Sequence, residues 1–199
     1  MTRFAALLPL CLAIACISPH QQESALASTA SFTPDFDPGE LNPDAPPETA
    51  ILGQLAGIWD VEQEVRNQDG SWRATGTAEW RWYFILDGHA IQDDWIKPAA
   101  AESGDAKPSF GTNLRIYNAD TASWEMAWID SNNRNLASFT AVNVDDTVVM
   151  TGQNPTGRQV RNTFFDMEAE TFEWVQEWTF DEGSTWVPVA RIHARRRRG

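Results

Sequence analysis

From Gly57 to the C-terminus, apolar and polar residues alternate with a period of two, and turn sequences break the pattern about every ten residues. In Ile58 to Arg66, Trp59, Val61 and Val65 alternate with Asp60, Glu62, Glu64 and Arg66, as expected for a half-buried strand. Asp69-Gly70 is a hairpin signal, and the alternation resumes through Trp72, Ala74, Gly76, Ala78, Trp80, Trp82 and Phe84 up to a second one, Asp87-Gly88. Further strands are predicted over His89 to Lys97, Thr112 to Asn118, Ser123 to Asp130, Asn135 to Val142, Thr147 to Gly152, Arg158 to Met167, Thr171 to Phe180 and Trp186 to Arg196. About ten strands in sequence order, with no helix between them, leave open edges unless the sheet closes. The spacing therefore predicts an all-β fold: a single antiparallel up-and-down β-barrel. An open sandwich with Greek-key connections would share this periodicity. A propeller is disfavoured, since no repeat of roughly 20 to 50 residues is visible.

Before Gly57 the patterns differ. Arg3, an apolar run from Phe4 to Ile17 and a polar stretch with small residues have the three-part layout of a secretory signal. The run falls short of the roughly 20 apolar residues that span a bilayer. Ala25-Leu26-Ala27 suits an ordinary signal peptidase, giving a signal peptide over 1–27. Leu12-Ala13-Ile14-Ala15-Cys16 resembles a lipobox, although Leu12 is one place too early, and would give a lipoprotein signal over 1–15 with Cys16 acylated. A buried N-terminal helix is the alternative to export. Residues 28–48 hold five prolines and five acidic residues with no Lys or Arg, which predicts a disordered acidic linker. Pro46-Pro47-Glu48 reads as the opening of a short helix with Ile51, Leu52 and Leu55 on one stripe, so the domain is expected over 49–199. The expected location is the periplasm or the extracellular space, with membrane attachment only through Cys16.

The two cysteines, Cys11 and Cys16, both lie in the N-terminal segment, which excludes disulfides and thiol chemistry from the barrel. Only His89 and His193 remain there as imidazoles, and no metal site is expected. A net charge of −13 disfavours nucleic-acid binding. The run Arg195 to Arg198 reads as a solvated terminus or as a contact for anionic lipid headgroups. No Gly-x-Ser-x-Gly elbow, phosphate loop, His-Glu-x-x-His or Cys-His arrangement is present, and Asp93 and Asp94, being adjacent, face opposite sides of a strand. No catalytic residue is assigned.

All ten tryptophans fall between Trp59 and Trp186. Either they fill the core, or part of the set (Trp80, Trp82, Trp128, Trp174 and Trp178) lines a cavity for a small hydrophobic ligand. Arg191 and His193 share one face of the last strand. Inside, they would receive a polar or anionic ligand head; outside, they would serve an acidic surface. Thr179-x-Asp181-x-Gly183-x-x-Trp186 resembles the Asp-box hairpin and reads as a structural turn.

A short helix leading into Gly57-Ile58-Trp59 resembles the Gly-x-Trp opening of the lipocalin and fatty-acid-binding (calycin) barrels. By that resemblance, Arg191 or Arg195 would pack over Trp59, and Arg191-x-His193 would stand where those proteins carry an Arg-x-Tyr pair. More of the chain, roughly Thr49 to Arg196, is similar to an uncharacterised family of bacterial lipocalin-like proteins, a domain of unknown function. The cues are Trp80 to Gly88, Leu114-Arg115-Ile116-Tyr117, Phe172-Glu173-Trp174, Trp178 to Trp186 and Arg195-Arg196. The resemblance implies the barrel and supplies no catalytic residues.

Three functions follow as expectations. The first is an exported binding module, monomer or dimer, with a small ligand in a Trp-rich cavity and no cofactor. The second is a haem-binding barrel in the manner of nitrobindin-like proteins, with His193 as axial ligand. The third is a filled barrel serving as a structural or interaction protein of the cell envelope.

Overall fold

A computed structural model describes residues 36–99 and 107–198. The expected signal segment over 1–27 with Cys11 and Cys16, and residues 28–35, lie outside them. A short helix, α1 (Thr49–Gly53), precedes ten strands: β1 (Gly57–Arg66), β2 (Trp72–Ile85), β3 (Ala90–Lys97), β4 (Ser109–Asn118), β5 (Ser123–Asp130), β6 (Leu136–Val144), β7 (Thr147–Gln153), β8 (Gln159–Phe165), β9 (Thr171–Trp178) and β10 (Val187–Arg196). Each strand pairs antiparallel with its sequence neighbours, and β1 pairs with β10, so the sheet is a closed up-and-down barrel rather than a sandwich. Among the described residues, closure leaves no strand edge open to another chain.

The end that carries α1 is plugged. Leu52 and Leu55 are fully buried above Trp59, whose indole N–H donates to the Leu55 carbonyl at 2.7 Å. Below them Trp82, Ile91, Trp124, Val148, Phe164, Phe172 and Ala194 fill the lumen. Trp59 meets Phe172 edge-on at 4.7 Å, and Trp80 meets Trp82 at 5.1 Å. Buried rings of this size contribute roughly 2–3 kcal/mol each by removal from water. The basic residue over Trp59 is Arg196, 4.2 Å from the ring centroid, rather than Arg191 or Arg195. Register decides this: Trp59 lies opposite Arg196, while Arg195 lies opposite Asp60 on the outer face.

The part of the expected linker that is described, residues 36–48, is bound to the barrel instead of running free. Phe84 N–H donates to Pro38 O at 2.8 Å, Phe36 packs edge-on to Tyr83, and Asn42 bonds to the β2–β3 turn through Asp87 and Gly88. Gly88, at φ +80°, permits the approach: a Cβ there would come within 2.4 Å of Asn42 N and Glu40 O. Acidic, proline-rich composition predicts poor burial, yet here the backbone itself supplies the docking bonds.

Candidate functional site

At the end opposite α1 the lumen is not filled. A cavity of about 290 Å³ runs inward from the β5–β6 loop, where Ser109, Asp130, Asn132 and Asn133 form its rim. Its walls are the indoles of Trp80, Trp95, Trp128 and Trp174, with Phe139, Met150, Phe164 and Ile192 between them. Three of the tryptophans expected at a ligand site are therefore in the wall. Trp82 lies deeper, fully buried beneath the cavity, and Trp178 packs against the core with Arg158 5.1 Å from its ring centroid. Trp95 was missed, although it lies two residues from Asp93 on the same face of β3.

The floor is polar. Arg115 on β4 is fully buried, and its Nη1 pairs with the Asp93 carboxylate on β3. The other Asp93 oxygen accepts the Trp80 indole N–H at 2.6 Å. The guanidinium sits 4.3 Å over the Trp82 ring, a cation–π contact that helps replace lost hydration. Burial pushes the Arg115 guanidinium down to about 9, which leaves it charged at neutral pH, and the adjoining carboxylate favours that charged form. Arg115 Nε and Asn113 Oδ1 are buried without a hydrogen-bond partner among the described residues. Across the lumen, Gln176 Nε2 donates to Asn162 Oδ1 at 3.1 Å, and both side chains line the cavity.

At the rim, burial works against the Asp130 charge, but Asn133 through backbone and side chain, the Trp128 indole and the Asn132 backbone all donate to it and hold it below the ordinary carboxylate range. Trp128 is thus oriented by a carboxylate that is itself fixed by a loop. Gly111 on β4 backs the same indole: a Cβ there would lie 2.1 Å from the ring.

Arg191 and His193 are outside the barrel. Ala190, Ile192 and Ala194 are the buried residues of β10, so the odd-numbered side chains face solvent. Arg191 pairs with Glu64 and stacks on Trp72, and His193 Nδ1 bonds to Glu173. Neither can meet a ligand head in the lumen, and an axial His193 inside the barrel is ruled out by the same orientation. Among the described residues no three metal-ligating side chains cluster. Thr179, Asp181 and Gly183 form a self-contained turn, in which Asp181 accepts Thr185 N–H at 2.8 Å and Gly183 N–H donates to Thr179 Oγ1 at 2.8 Å. Trp186 lies beside Gly183 on the barrel exterior.

The floor charges carried little signal in the sequence. Leu114-Arg115-Ile116-Tyr117 suggests aliphatic residues inside, yet Leu114 and Ile116 are 46% and 44% exposed, and Asn113, Arg115 and Tyr117 point inward. The readable clue was Tyr117, an aromatic ring two residues from Arg115 and on the same face of the strand.

No family model and no curated protein sequence matches the chain. Among solved structures, it is similar to an S-type phycobiliprotein lyase, CPES, from Guillardia theta, with a TM-score of 0.52 and 9% identity over 75% of this chain and 92% of that one. It is also similar to Rv2717c from M. tuberculosis, with a TM-score of 0.50 and 13% identity over 78% of this chain and 100% of that one. Identities this low establish a shared calycin-like barrel fold and nothing further.

Proposed function

We propose that this barrel is a binding module for a small, largely apolar molecule held against Trp80, Trp95, Trp128 and Trp174. The observation that carries this reading is the cavity itself: one end of the lumen is packed solid while the other stays open between four indoles. Its 290 Å³ sits at the lower end of the roughly 300–1,000 Å³ typical of small-molecule pockets. A macrocycle such as haem is a poor match for that volume, and a wholly filled barrel does not account for the opening. The likeness to the two solved barrels is one of fold, so the ligand reading rests on the cavity alone.

The test is titration of the folded protein with the neutral probe N-phenyl-1-naphthylamine, followed by tryptophan quenching. Saturable binding that weakens several-fold in Trp128→Ala supports the reading. Absence of saturable binding by this and other small apolar probes overturns it. Export belongs to the same proposal: cleavage after Ala27, or acylation at Cys16, would deliver the barrel outside the cytoplasm. Intact-mass measurement of the protein from its own cells distinguishes the two, and a full-length mass refutes both.

A further inference from the structure

The floor of the cavity says more about the ligand than its walls do. Arg115 is the cation that an anionic ligand head would seek, but its charge is already matched. Asp93 occupies one side of the guanidinium, and the Trp80 indole N–H holds Asp93 there. A ligand carboxylate reaching this point would place two carboxylates on one guanidinium, away from water, and the like-charge cost would be large. The charges nearer the mouth do not alter the floor. Asp130 lies on the rim, Lys97 donates to Gln63, and Arg158 stacks on Trp178 and Phe180.

What the floor leaves open is hydrogen bonding rather than charge. Arg115 Nε is a donor and Asn113 Oδ1 an acceptor, two residues apart on the same face of β4, both on cavity-lining side chains and both unpartnered among the described residues. Arg115 is 2% exposed and Asn113 3% exposed, and both atoms are shielded within the cavity. A ligand that draws these two lining side chains toward itself therefore supplies the partner each lacks. A neutral group presenting an acceptor beside a donor, as an amide edge does, satisfies both without adding charge. The indole walls favour a flat aromatic body.

We propose that the cavity selects an uncharged aromatic molecule bearing an amide-like edge, which bonds Arg115 Nε and Asn113 Oδ1, and that it rejects the corresponding carboxylate. This rests on the binding-module reading above and makes it specific.

The experiment is displacement of N-phenyl-1-naphthylamine by 2-naphthamide and by 2-naphthoate at pH 7. The amide is expected to bind at least tenfold tighter. The naphthoate should gain about tenfold in apparent affinity per pH unit as the pH falls from 7 to 5, because only its neutral acid enters and that fraction rises tenfold per unit above a pKa of about 4. Asp93→Asn leaves Arg115 uncompensated and should shift the preference toward naphthoate by at least tenfold. Should that variant fail to fold, the pH series on the native sequence decides alone. Equal or tighter naphthoate binding at pH 7, or displacement by neither compound while the neutral probe still binds, overturns the selectivity and leaves the binding module standing. Failure of the neutral probe itself removes the module as well.

Discussion

The Arg196 guanidinium lies 4.2 Å from the centroid of the Trp59 ring, and it donates to the carbonyls of Ala56 at 2.6 Å and Gln54 at 2.8 Å. One side chain from the last strand thus caps the end of α1, covers the first-strand tryptophan and ties β1 to β10. Gly57 makes room for it: a Cβ there would come within 2.4 Å of Arg196 Nη1, and φ at Gly57 is +139°. Arg196→Ala is expected to cost about 1–3 kcal/mol through the lost hydrogen bonds and ring contact. Arg196→Lys should recover less than half of that, because an ammonium lacks the fork that reaches two carbonyls while lying flat on a ring. Urea unfolding of the three proteins tests this, and a lysine variant as stable as the parent would contradict it.

The Asp93–Arg115 pair poses a different balance. Removing one partner strands a charge in the lumen, so Asp93→Ala is expected to destabilise by about 3–5 kcal/mol, whereas removing both with apolar side chains need not. Asp93→Leu combined with Arg115→Met should therefore be more stable than Asp93→Ala alone. The double variant should also bind naphthamide several-fold more weakly through the lost donor, while naphthoate stays excluded because an apolar floor still penalises a buried carboxylate. Thermal unfolding gives the first comparison and probe displacement the second. A double variant no better than the single one would mean that the pair is required for packing and not only for charge balance.

Strand number and limits were legible because period-two alternation and turn residues are local properties. The order of strands in the closed sheet is not a local property and comes from the structure. Strands β5 and β1 fall within a residue of their expected limits, and β10 begins one residue late. Which face of a strand turns inward was less legible. In β10 the expected ligand pair, Arg191 and His193, is on the outside because Ala190, Ile192 and Ala194 make the better inner face for a lumen already crowded with rings. In β4 hydropathy points the wrong way: Leu114 and Ile116 are spent on the surface while Arg115 is buried. A buried charge is stable there only because Asp93 stands on the neighbouring strand, and a pairing 22 residues distant leaves no trace in either local pattern.

Gly111 gives a direct handle on the cavity wall. Its missing Cβ is what lets the Trp128 indole lie against β4, so Gly111→Ala must displace the ring or the strand. Overpacking of this kind costs roughly 1–3 kcal/mol. Because Trp128 forms part of the wall and its N–H is fixed on Asp130, the displaced ring should also weaken N-phenyl-1-naphthylamine binding several-fold. Gly76→Ala is the control, since no atom lies within 4 Å of a Cβ there, although its φ of +96° carries a backbone cost. Loss of stability with unchanged probe affinity in Gly111→Ala would remove Trp128 from the binding surface.

The outer face supplies a prediction in pH. Burial raises the pKa of Tyr83 to about 12, and the nearby Asp94 charge, with the hydrogen bond that Tyr83 OH donates to Asp94 at 3.0 Å, adds to the effect against a smaller opposing influence from Arg81. A phenol whose folded pKa lies above its unfolded value of 10 keeps its proton longer in the native state. Its contribution to stability is complete below pH 10 and disappears as the pH rises toward 12. Tyr117, the other tyrosine, is also shifted upward, chiefly by burial and further by Glu48. Absorbance of the folded protein near 295 nm should therefore show little phenolate at pH 10, where half of ordinary tyrosines would have ionised. Unfolding in urea at that pH should release the signal. Tyr83→Phe should flatten the decline in stability between pH 10 and 12, and an unchanged slope would mean that the Tyr83–Asp94 bond does not persist in solution.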